Sequence, residues 1–157
     1  MRSLTLEEAV VGAALPDLHF DITSTAVIAG ALANRDYSQL HHDVSYAREE
    51  AGHPNIFMNT QLQAAFFERY LYDWAGSKCR LARMRFRMKR PVYAGSHIVI
   101  KGVVTGVLRD DQECGWVELA LSLGCSDKVA SECEVRCALP VDADDNPWNR
   151  EESNWSP

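Results

Sequence analysis

An α+β fold, a curved antiparallel sheet wrapped around one long central helix, is predicted by three features of this 157-residue sequence. In NIFMNTQLQAAFFERYLYDWAG, Leu62, Phe66, Tyr70 and Trp74 recur at helical spacing, and Ala65 and Phe67 widen the stripe. From Leu81 onward the apolar period drops to two, in four runs rich in β-branched residues. Segments of turn chemistry separate those runs.

Taken in order, VGAALPDLHFDI ends in alternating Leu18, Phe20 and Ile22 and predicts a short strand after Pro16. Thr23 or Ser24 caps a helix over TSTAVIAGALANRDY, which gives out near Asn34. VSYAREEAG is short and polar and predicts one or two helical turns, closed by Gly52 and Pro54. The long helix starts near Asn59 or Thr60, both able to cap, and stops at Gly76. LARMRFRMK, HIVIKGVVTGVLR, GWVELALSLG and KVASECEVRCALP are then expected to follow one another as an antiparallel meander. This is the hot-dog architecture. A sheet wrapping one helix leaves an open edge, so the domain is expected to pair edge to edge.

Composition narrows the function classes. Length fits a single domain, here residues 1–140, with an acidic and mobile carboxyl-terminal tail over 141–157 or an arm held by Trp148 or Trp155. Apolar residues make up 46% and charged residues 24%, which excludes disordered and membrane classes. No apolar run reaches the roughly 18 residues a bilayer span needs, and MRSLTLEEAVVGAALP lacks a basic leader, so a cytoplasmic protein is expected, with no membrane partner. The net charge of -6, with no basic excess, argues against nucleic acid as a partner. Cys79, Cys114, Cys125, Cys133 and Cys137 form no CxxC pair and fit reduced thiols. Cys133 and Cys137 share a strand face and are expected as core filler. Adjacent histidines point apart, so His41, His42 and His53 are not expected to bind a metal.

RDYSQLHHDVSYAREEAG, then NIFMN, then RPVYAGSHIVIKGVVTGV carry a family likeness. They resemble the MaoC-like (R)-specific enoyl-CoA hydratases, and within them the small single-hot-dog subunits of bacterial steroid side-chain hydratases. Asp36, His41, Asp43, Ala47, Gly52, Pro91, Val92 and Gly95 fill the positions of the family pattern, and the resemblance covers roughly residues 9 to 139. Two positions depart from it: Ser38-Gln39 stands where the family often has Asn-Pro, and Met58-Asn59-Thr60 where it often has His-Gly-Met.

The resemblance implies hydration of a trans-2-enoyl-CoA, with Asp36 and His41 as the catalytic pair. It implies an acyl-CoA substrate, a bulky or steroid side chain among the acyl groups, and no cofactor beyond the coenzyme A that the substrate carries. The partner is a second copy or another hot-dog chain. By motif alignment the Asn59 amide receives the thioester oxygen, at a helix start whose N–H groups lack intrahelical partners.

Chemistry supplies the reason for the pair: an imidazole and a carboxylate can hold one water and share base and acid work. Geometry sets a condition. Five positions on an unbroken helix separate two side chains by about 140°, so the helix has to end between them, and Ser38 is the expected breaker. His42 and Asp43 are expected to hold the turn. Met58 and Gln63 are expected to line the acyl pocket, and Lys89 or Arg90 to meet the phosphates of coenzyme A, while Arg83, Arg85 and Arg87 form a solvated outer face. Two alternatives use the same scaffold: an acyl-CoA thioesterase, and a non-catalytic subunit that completes a heteromeric hydratase.

Overall fold

The computed structural model describes residues 2–155. Five strands, β1 (Leu18–Asp21), β2 (Arg80–Met88), β3 (His97–Arg109), β4 (Gly115–Cys125) and β5 (Lys128–Leu139), accompany two helices, α1 (Ser24–Ala33) and α2 (Thr60–Ala75). The strands form one antiparallel sheet in the order β1-β3-β4-β5-β2. This is the predicted sheet around a central helix.

The apolar stripe of α2 explains why the sheet curls around it. Phe66, Phe67, Tyr70, Leu71 and Ala75 are buried, and they pack with Ile98, Ile100 and Val104 of β3, Val117, Leu119, Leu121 and Leu123 of β4, and Cys133, Val135 and Cys137 of β5. Each large apolar side chain removed from water contributes roughly 1.5–3 kcal/mol. The helix starts where Asn59 accepts the Leu62 N–H at 2.9 Å and stops at Gly76, with φ 82° and ψ -179°. A Cβ at Gly76 would lie 2.6 Å from the Ser3 backbone, so only glycine fits. In α1, Gly30 allows a close approach: a Cβ there would stand 2.8 Å from Leu62. Gly30, a poor helix former in itself, therefore serves the packing of α1 on α2.

One expectation is corrected. Only β3, β4 and β5 form a meander. Strand β2 pairs with β5, setting Met84 opposite Val135, and the chain then crosses to the other side of the sheet to begin β3. The crossing segment is fastened on the way: Val92 O accepts the Met58 N–H at 2.9 Å, the Ala94 N–H donates to Ile56 O at 2.9 Å, and the Gly95 N–H donates to Ile22 O at 2.7 Å. Alternation identifies a strand, whereas its neighbours depend on the tertiary path.

Both ends of the described segment lie against this body. The Leu4 N–H donates to Ala75 O and the Leu15 N–H to Gly102 O, so the first residues run from the end of α2 onto β3. At the other end Trp155 packs on Trp116, the Arg80 guanidinium lies 3.8 Å from the Trp155 ring centroid, and the Trp148 indole N–H donates to Ser77 O and Cys79 O. All five cysteines are free thiols; Cys79, Cys114, Cys133 and Cys137 are buried and Cys125 is partly exposed. Burial pushes the Cys133 thiol up to about 12. Among the described residues no helix is long and apolar enough to cross a membrane.

Candidate functional site

The site begins where α1 ends. The Asp36 N–H donates to Ala31 O at 2.9 Å and the Arg35 N–H to Leu32 O at 3.0 Å, the paired bonds of a Schellman stop, with Arg35 in the left-handed region at φ 54°. The helix therefore ends before Asp36, as the pair requires, but at Asn34-Arg35 and not at Ser38. Asn34 strengthens the stop by donating from its side chain to Gly30 O at 2.8 Å. Ser38 instead precedes a single 3-10 turn, Gln39–His41, without capping it by its side chain. Asp43 accepts the Tyr46 N–H at 3.0 Å and opens the wide turn Tyr46–Glu50, while His42 faces solvent.

This path brings Asp36 and His41 together. Asp36 Oδ2 and His41 Nε2 are 3.5 Å apart. His41 is buried, and its Nδ1 sits 2.7 Å from the Phe57 carbonyl. A carbonyl can only accept, so Nδ1 carries the proton, and in the neutral ring Nε2 presents its lone pair toward Asp36. Asp36 in turn accepts the Asn59 side-chain N–H on Oδ2 at 3.1 Å and the Ser38 backbone N–H on Oδ1 at 3.2 Å. The Asn59 bond first, then the Ser38 bond, holds the Asp36 carboxyl below the usual aspartate range.

Asp36 and His41 line one cavity of about 400 Å³ together with Met58, Asn59, Gln63, Lys89 and Arg90. All seven residues singled out from the sequence thus meet in one place. Among the described residues no acceptor meets the Asn59 backbone N–H, which lies at the amino end of α2. Gln63 is 1% exposed, and its Oε1 accepts the Ser131 hydroxyl at 2.5 Å. Lys89 at the mouth forms an ion pair with Glu132 of β5, and Arg90 is exposed beside it. His53 Nδ1 contacts the Tyr93 hydroxyl at 3.1 Å, and the described residues hold no cluster of three or more metal-ligating side chains.

Sequence reasoning missed three contributors: the Phe57 carbonyl, the Ser38 N–H and Ser131. The first two are backbone groups, which side-chain spacing does not reveal. Ser131 left a signal. It occupies an inward position of β5 in phase with Cys133 and Val135, and a polar residue there needs a partner.

No family model matches the chain. Over 98 residues it is 36% identical to the beta subunit of the 3-oxo-4,17-pregnadiene-20-carboxyl-CoA hydratase of Mycobacterium tuberculosis, covering 62% of this chain and 75% of that subunit. Among solved structures, the ChsH1-ChsH2 complex from Mycobacterium tuberculosis superposes with a TM-score of 0.76 at 28% identity, over 83% of this chain and 98% of that one. The unliganded R-hydratase PhaJ1 from Pseudomonas aeruginosa superposes with a TM-score of 0.80 at 18% identity, over 89% and 88%. That last likeness is one of fold. The fold is a hot dog, and the chain belongs to the MaoC-like hydratase family. The family expectation drawn from RDYSQLHHD and the segments after it is thereby met.

Proposed function

We propose that this chain hydrates a trans-2-enoyl-CoA to a 3-hydroxyacyl-CoA, with Asp36 and His41 holding the attacking water. The observation that carries the reading is the 3.5 Å approach of a carboxylate to an imidazole nitrogen, the other ring nitrogen being held by the Phe57 carbonyl, on the wall of a cavity. A water at hydrogen-bond distance, about 2.8 Å, from both would donate to both and turn its oxygen outward.

The division of labour follows from the hydrogen bonds. Asp36 is held acidic by Asn59 and Ser38, so it is a weak base near neutral pH. His41 takes the water proton as the oxygen bonds to the β-carbon, and the Asp36 carboxylate stabilises the imidazolium. Electrons from the double bond move to the thioester oxygen, which the Asn59 N–H meets at the positive end of α2. His41 then returns the proton to the α-carbon. One O–H bond of water and the π bond of the alkene are broken and one C–O and one C–H bond form, a balance that needs no redox partner.

Met58 and Gln63 form the acyl wall, and Arg90 with Lys89 meets the coenzyme A phosphates at the mouth. The 36% identity to a steroid-type hydratase subunit supports a bulky acyl group, and the likeness to the ChsH1-ChsH2 complex supports assembly with a second hot-dog chain.

The test is loss of enoyl thioester absorbance with crotonyl-CoA and with a bulky enoyl-CoA, for the chain alone and with a hot-dog partner. Asp36→Ala and His41→Ala are each expected to lower the rate by about 10²–10⁴-fold with an unchanged fold. Wild-type rates in both variants overturn the dyad, and release of free thiol in place of hydration assigns a thioesterase.

A further inference from the structure

Among the described residues strand β2 closes the sheet on one side with nine residues and no strand beyond it, whereas the opposite edge, β1, has four. A long unpaired edge is a template for another strand. The end of β2 also borders the candidate site, because Met88, Lys89 and Arg90 line the cavity. A chain added to this edge stands at the cavity mouth.

The charges on β2 decide which chain that is. After the irregularity between Leu81 and Arg83, the exposed Arg83, Arg85 and Arg87 alternate with Met84 and Phe86, which pack against the core. The strand contains no acidic residue. Behind it, Arg85 and Arg87 lie opposite Glu134 and Glu132 of β5, but Glu132 is also engaged by Lys89, and Arg83 lies opposite Arg136. The edge is therefore positive on the side a partner approaches.

A second copy paired through residues 83–87 meets this charge in every register. Residues directly opposite in an antiparallel pair point to the same face. Two copies related by a two-fold axis pair with matching faces only when the axis passes through a residue. With the axis at Arg83, Arg85 or Arg87, that arginine meets itself. With the axis at Met84, Arg83 meets Arg85, and with the axis at Phe86, Arg85 meets Arg87. An axis between residues sets the core face of one copy against the outer face of the other.

We propose that β2 is the docking edge for a second hot-dog chain whose own edge strand carries acidic side chains on its outer face, and that Arg83, Arg85 and Arg87 reject a second copy of this chain. That the partner is a hot-dog chain rests on the proposed function; the selection by charge rests on this strand alone.

Sedimentation of the full chain tests the selection without any activity assay, so its failure and that of the hydratase reading are distinguishable. The neutral variant Arg83→Gln/Arg85→Gln/Arg87→Gln is expected to self-associate at least about 10-fold more tightly than wild type at low salt, since each like-charge pair costs up to about 1 kcal/mol and the two-fold repeats most pairs. The gap is expected to narrow as salt shortens the screening length. The reversed variant Arg83→Glu/Arg85→Glu/Arg87→Glu, mixed with wild type, is expected to form a mixed dimer with slowed amide exchange in residues 83–88. Should the reversed variant not fold, the neutral one decides. Equal self-association of wild type and the neutral variant at low salt, or a mixed dimer without protection of residues 83–88, overturns the proposal.

Discussion

Asn59 joins two structures through one side chain: its amide N–H reaches Asp36 Oδ2 at 3.1 Å while its carbonyl oxygen accepts the Leu62 N–H at 2.9 Å. The cap of the central helix is thus also the support of the candidate catalytic carboxylate. From the sequence Asn59 was expected as a candidate cap and as a backbone donor to the substrate, but the bond from its side chain to Asp36 was not foreseen.

The two duties separate by substitution. Asn59→Ser keeps a capping oxygen and removes the donor to Asp36; Asn59→Ala removes both. Asn59→Ala is expected to cost about 1 kcal/mol of stability and Asn59→Ser much less, measured by denaturant unfolding. Both are expected to raise the Asp36 pKa, read by carboxyl NMR titration, because each deletes the strongest influence that lowers it. The sign for stability follows. A folded-state pKa below the unfolded value, about 3.9, contributes stability above that value and loses it as pH falls through the folded pKa. The acid-induced loss is therefore expected to be smaller in Asn59→Ser than in wild type.

Gly76 ends α2 at φ 82° with the Ser3 backbone in the space a Cβ would need. Gly76→Ala is expected to destabilise the fold by about 1–3 kcal/mol, seen as a lower Tm. A Tm equal to wild type would show that residues 2 and 3 move aside freely.

Arg35 carries the opposite expectation. A non-glycine residue at φ 54° costs about 1–2 kcal/mol, and glycine gives back part of that gain as unfolded-state entropy. Arg35→Gly is expected to stabilise by about 0.5–1 kcal/mol in chemical denaturation while leaving hydration intact.

Position along the chain made some of this legible and not the rest. The α2 stripe from Leu62 to Trp74, its cap and its glycine stop are local features, and each was readable. Asp36 and His41 were marked as a pair by the family resemblance of RDYSQLHHD, and their spacing then demanded a break in the helix between them. The end of α1 near Asn34 was legible, but the break needed by the pair was assigned to Ser38, since an arginine in a left-handed conformation carries no compositional mark. The placement of β2 beside β5 was hidden for a different reason: LARMRFRMK alternates identically whichever neighbour it meets. Trp148 and Trp155 were legible as candidate anchors of the acidic segment, but the seat of Trp155 between Arg80 and Trp116 was not, because a short stretch with few aliphatic residues gives no periodicity to read.

The distribution of sulfur has a practical corollary. Four of the five thiols are turned into the interior, and only Cys125, at the β4–β5 hairpin, reaches solvent. A maleimide dye therefore finds one attachment point per folded molecule and five per denatured one, so stoichiometric labelling counts open chains directly and leaves a fluorophore at a single known address.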